Sequence, residues 1–200
     1  MVELLIFLAI LAMISGLVLP LLFTASQTRY QQATVAAVEQ NGAQAMQDIL
    51  SRVRSAETIT SPLPTKSGSY LVLQTSSGAQ SPIIIGMQSG SLILIEHALQ
   101  RPLTSPEVGV TSFFVRNTSA ATNRQSVVIS FKLARATRQS TGPDTYERYF
   151  ETAVALFVDD QITPTGCTCT LPTCTAPSTV NWQICDVGVC TAKSASLKCP

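Results

Sequence analysis

Residues 4–23, LLIFLAILAMISGLVLPLLF, form an uncharged apolar run that fixes what the rest of the chain can be. An apolar helix needs about 20 residues to cross the ~30 Å hydrocarbon layer of a bilayer, and this run supplies them. No Asp, Glu, Lys or Arg occurs from Leu4 through Thr28. One carboxylate, Glu3, stands just ahead of the run, and Pro20 falls near its end. Such a segment must lie against lipid or against other apolar helices. The residues that follow read as a water-soluble body, so the chain is a domain on an apolar stalk.

The 200 residues allow one compact domain plus an extended element. Net charge is +1, from 13 basic and 12 acidic residues. This excludes a global field that would recruit nucleic acid or anionic lipid. All six cysteines fall between Cys167 and Cys199, in a Pro/Thr-rich tail, which points to disulfides and an oxidising compartment.

Three readings of the leading segment can be separated. A secretory signal peptide carries basic residues ahead of a shorter apolar core, and here the first charge is acidic. A plain anchor satisfies the hydropathy but gives no role to Glu3. A carboxylate at the end of an apolar helix is costly unless paired, so it marks a functional site. The third reading meets that requirement: the helix packs against copies of itself, and Glu3 meets a neighbour's α-amino group.

The string MVELLIFLAILAMISGLVLP resembles the N-terminus of type IV pilins and type II secretion pseudopilins. Those families carry a short apolar lead, a Glu, a long aliphatic run and a Pro toward its end. The likeness is specific over residues 1 to about 30. It is looser beyond, where SVVISFKLA and YERYFETAVALF are similar to minor pseudopilins of the J or W type. The family usually has four residues ahead of the Glu after its basic leader is removed; here there are two. The expectation is a mature chain numbered from just inside its true start, with N-methylation of the processed first residue as the family's property. The resemblance implies an α+β fold, a long N-terminal helix packed on an antiparallel sheet with a Cys-rich C-terminal loop region. It also implies a helical filament of like subunits and other pilin-like chains, built by an inner-membrane assembly platform. In that setting Glu3, Gly16 and Pro20 are the assembly residues. The protein would sit in the bacterial inner membrane before assembly, and in an extracellular pilus or periplasmic pseudopilus afterwards. The other class is a monomeric membrane-anchored binding protein or adhesin.

From Leu4 to about Thr58 the pattern predicts one helix, with a kink or melted stretch near Ser15 to Pro20. Its second half is amphipathic: Val35, Val38, Gly42, Ala45, Ile49, Val53 and Ala56 recur at helical spacing. Strand character marks Tyr70–Gln74, Pro82–Met87, Leu92–Glu96, Val108–Arg116, Ser126–Ala134 and Tyr146–Val158, read as one antiparallel sheet over that half. Beyond Asp159 strand signals fade, and the tail is too short to build its own core. The division is therefore 1–28, assembly half of the helix; 29–158, globular domain; 159–200, disulfide-linked tail.

The cysteines, Cys167, Cys169, Cys174, Cys185, Cys190 and Cys199, have spacing C-x-C-x4-C-x10-C-x4-C-x8-C. No C-x2-C pair and no nearby His is present, so disulfides are expected rather than a zinc site. Three bridges are expected, and six cysteines allow 15 pairings. As the resemblance implies, they stand in for the disulfide-bounded C-terminal loop of many pilins. Arg116, Arg124, Lys132, Arg135 and Arg138 form a run without acid, read as a solvated face, so nucleic acid is not an expected partner. Asp159-Asp160, with Asp144 and Glu147, lack a calcium-loop pattern. Asn117-Thr118-Ser119 is a formal glycosylation sequon. One histidine, His97, has no apparent catalytic partner, and no hydrolase, metalloprotease, P-loop or dinucleotide motif occurs. No enzyme activity, cofactor or metal is expected.

Overall fold

The computed structural model describes residues 2–75, 81–97, 99–120, 125–136, 145–156, 170, 172–175, 178–186 and 189–198. In chain order they form a helix, α1 (Val2–Arg54), and strands β1 (Thr58–Ser61), β2 (Ser67–Gly68), β3 (Tyr70–Gln74), β4 (Ile83–Gln88), β5 (Ser91–Glu96) and β6 (Leu99–Pro102). Then come β7 (Gly109–Asn117), β8 (Ser126–Ala136), β9 (Thr145–Ala155), β10 (Thr173–Thr175), β11 (Thr179–Asp186) and β12 (Val189–Ser196). The class is α+β, with every strand pairing antiparallel.

α1 is 53 residues of unbroken helix, about 80 Å at 1.5 Å per residue. The expected melted stretch near Ser15–Pro20 does not occur, since the helix runs through both Gly16 and Pro20. Proline removes one donor, the one that would reach the Gly16 carbonyl, and the neighbouring turns stay bonded. Thr24 Oγ1 adds a bond to the Pro20 carbonyl at 2.9 Å. The helix has two halves. From Val2 to Ala33 every described side chain is exposed; from Thr34 one face is buried, through Val38, Gly42, Ala45, Ile49 and Val53. The stripe starts at Thr34 rather than the expected Val35. Thr34 lies four residues before Val38 and is buried, whereas Val35 is 37% exposed although it shares the line of buried Val53, 18 positions on.

Three sheets form where one was expected. The first has order β1-β3-β4-β5-β6, the second β2-β7-β8-β9, the third β10-β11-β12. After β6 the chain turns inward instead of adding another strand. Leu103 and Val108 are buried there, Thr104 Oγ1 accepts the Leu92 N–H, and Asn41 on α1 accepts the Ser105 N–H. β7 therefore starts a new sheet. Strand alternation then aims Leu71, Leu73, Ile83, Ile85, Leu92 and Leu94 from the first sheet, and Val115, Ile129, Phe131 and Leu133 from the second, at α1.

The tail also departs from expectation. Strand signals fade there in the sequence, yet Thr173–Thr175, Thr179–Asp186 and Val189–Ser196 pair into a sheet through register such as Cys174↔Val180 and Trp182↔Lys193. It is too short for a core of its own and borrows one. Val180, Trp182, Ile184 and Leu197 close over Tyr70, Val72, Ile84, Ile93 and Ile95, the face of the first sheet turned away from α1. Strands β3 to β5 are thus apolar on both faces.

Candidate functional site

The largest unsatisfied feature of the described structure is the first half of α1. Its side chains include Leu5, Phe7, Ile14, Leu21 and Phe23, all exposed. This is one helix long and apolar enough to cross a membrane, near the N-terminus. A contiguous apolar surface of that size has to be covered by lipid or protein.

The residues singled out in the sequence divide around this helix. At 100° per residue, Ala9, Ala12, Gly16 and Pro20 fall within about 80° of one another, and Glu3 lies on the opposite side. Glu3 and Pro20 are 17 positions apart, or about 26 Å along the axis. A Cβ added at Gly16 would meet nothing within 4 Å, so the seam is open for a second helix to approach closely. Glu3 makes no ion pair among the described residues. The geometry brings Gly16 and Pro20 to one side of the helix and sets Glu3 apart from them.

The second half of α1 is fastened to the domain by charge as well as by apolar burial. Glu39 accepts from Tyr146 Oη at 3.1 Å and pairs with Arg148 Nε at 3.2 Å, both on β9. Asp48 meets Arg101 of β6 at 4.0 Å, and Arg52 Nε meets Glu96 of β5 at 2.7 Å. The hydrogen bond from Tyr146 to Glu39 raises the phenol above its ordinary value, with burial adding to it. These contacts, and the seat of Phe150 against Gly42, were not signalled by spacing in the sequence.

The remaining candidates resolve into structure. Lys132 pairs with Glu147, and Arg135 with Glu107 at 3.0 Å, so the basic run is partly neutralised and dispersed. Arg124, Arg138, Asp144 and Asp159-Asp160 lie outside the described residues. Asn117 is 1% exposed, its amide donating to the Pro62 carbonyl at 2.7 Å and its oxygen accepting from Ser119, so the sequon is closed in the folded chain. His97 holds a left-handed backbone, φ 57°, and its carbonyl accepts the Trp182 indole N–H at 3.2 Å. That is a packing role. Among the described residues no cluster of His, Cys, Asp or Glu could hold a metal. Cys174 and Cys190 are disulfide-bonded, and Cys185 stands opposite Cys190 in the ladder; Cys167, Cys169 and Cys199 lie outside the described residues.

No family model matches the chain, and no curated protein or solved structure is significantly similar to it.

Proposed function

We propose that this chain is a structural subunit of a type IV pilus or a type II secretion pseudopilus, polymerising through the exposed half of α1. The observation that carries the reading is one continuous helix with two surroundings: a bare surface to Ala33, apolar as far as Phe23, and a sheet-covered stripe from Thr34. Before assembly the bare half lies in the inner membrane. After it, copies of the same helix cover one another in a filament core. Both environments are apolar, so the transfer costs little. The seam of Ala9, Ala12, Gly16 and Pro20 takes one neighbour. Glu3, on the far side, takes the amino terminus of another and sets the axial step, since an unpaired carboxylate there would be uncompensated in low dielectric. Two unlike faces on one helix make a head-to-tail contact that builds an open helical polymer. The partners are other copies, related subunits and a membrane platform that extracts each chain. Three disulfides in the tail complete the reading.

Glu3→Ala and Glu3→Lys in the producing cell test it. The expected result is loss of filaments by electron microscopy with the chain still present in the membrane. Filaments in normal number would refute the register role. A chain that forms no filaments with Glu3 intact would favour the membrane-anchored monomeric binding protein.

A further inference from the structure

The two apolar cores of this domain do not mix. One lies between α1 and the inner faces of the first two sheets; the other lies between the outer face of the first sheet and the C-terminal strands. The five-stranded sheet is their common wall. To the second core the tail brings four large side chains, Val180, Trp182, Ile184 and Leu197. Hydrogen bonds that tie it to the body include Trp182 Nε1 to the His97 carbonyl at 3.2 Å, Ser69 Oγ to the Lys198 carbonyl at 2.6 Å, and Lys198 N to the Met87 carbonyl at 3.1 Å. Leu197 also closes on Gly86, where an added Cβ would lie 3.3 Å from its Cδ2. A sheet this small, burying four large side chains, draws part of its stability from cross-links. Cys174 and Cys190 lie in this sheet and are disulfide-bonded.

We infer that the C-terminal sheet is a redox-gated cover: with its disulfides reduced it lifts from the five-stranded sheet, while the core around α1 stays folded. Opening consumes one dithiol per bridge. The reductant's thiolate attacks one sulfur, its second thiol resolves the mixed disulfide, and the reductant leaves as a disulfide. The two electrons and two protons it gives up end on two cysteine thiols. The open chain then presents Tyr70, Val72, Ile84, Ile93 and Ile95 to solvent, a surface that the oxidised chain hides. Formation of the bridges is thereby the step that makes the domain's outer face polar. This inference is independent of what α1 assembles into.

The chain has a single tryptophan, Trp182, which is 5% exposed and reports on the cover alone. The full-length protein in detergent micelles, before and after dithiothreitol and alkylation, is followed by Trp emission, acrylamide quenching and hydrogen exchange. The expected result is a shift of emission to longer wavelength, several-fold stronger quenching, and exchange at least 100-fold faster over 179–196. Exchange over 45–53 and 127–133 stays unchanged. Val180→Asp in the oxidised protein ejects the cover without touching a cysteine and gives the same pattern. Two outcomes overturn the inference. In one, Trp182 stays shielded after reduction or in Val180→Asp; in the other, protection is lost in both regions together, which would make the domain one cooperative unit.

Discussion

Gly42→Ala sets two opposed effects against each other at one atom. In an exposed helix the change gains about 1 kcal/mol, because glycine is the poorer helix former. Here the new Cβ would lie 2.0 Å from Phe150 Cζ, 2.3 Å from Cε2 and 2.6 Å from Cε1. All three atoms belong to one rigid ring edge, so no small torsion relieves the overlap. The ring is also held from its other side. It stacks on Phe131 with centroids 5.3 Å apart, and Phe131 is fully buried. Overpacking of this kind costs about 1–3 kcal/mol. If Phe150 swings out instead, the aromatic pair is lost, at about 0.5–1.5 kcal/mol beyond the burial it forfeits. Taking the upper part of the overpacking range against the propensity gain leaves a net loss of about 1–2 kcal/mol. For a chain of this size that is a fall in melting temperature of roughly 2–8 °C. The assay is thermal and urea unfolding of the detergent-solubilised chain, with Phe150→Leu and the double variant completing a cycle. The single changes should be non-additive, because the smaller side chain makes room for the methyl. Gly16→Ala is the control. Nothing lies within 4 Å of that position, so it should not lower the stability of the domain. A Gly42→Ala chain as stable as its parent would refute the seating of Phe150 on α1.

Asn117→Ala removes a buried side chain whose amide and oxygen serve Pro62 and Ser119, and it should cost about 1–3 kcal/mol in urea unfolding; Asn117→Asp, which keeps the acceptor and loses the donor, should fall between it and the parent. At Tyr146 the folded-state pKa is raised above the ordinary 10.0 by its bond to Glu39. The stability this contact contributes is therefore complete below the unfolded value and lost as pH rises through the folded one. Glu39→Gln should move the Tyr146 phenol back down, read as an NMR titration of its ring carbons. An unmoved titration would mean the hydroxyl is not held by Glu39.

The long helix was legible because two periodicities follow one another without a breaker strong enough to stop them. Aliphatic residues surround the axis to Phe23, and a stripe at helical spacing follows from Val38. The melted stretch expected near Pro20 does not form, because one missing donor leaves the adjoining turns intact. β7, β8 and β9 were found within a few residues; in β8, Val127, Ile129, Phe131 and Leu133 alternate with Val128, Ser130 and Lys132. The division into separate sheets was not visible: it depends on the inward turn at Leu103–Val108, which involves Asn41, some 60 positions away. The cover was missed for a related reason. YLVL, IIIG and LILI are apolar at successive positions, the mark of strands buried on both faces, but the sequence does not say what lies on the second face. In the tail, Val180, Trp182 and Ile184 do alternate, over too few residues to stand out among Thr and Pro. The assembly residues were half legible: Glu3, Gly16 and Pro20 were singled out together, and the angle that sets Glu3 apart from the other two was not.

The fastening of α1 to its domain has a mechanical consequence. Glu39, Asp48 and Arg52 hold β9, β6 and β5 at successive heights, beside the buried stripe that runs along the same axis. Tension applied through the first half of the rod therefore loads these attachments side by side, in shear, rather than peeling them one after another. The domain should come away only when the whole row yields, a geometry suited to a part that is pulled lengthwise.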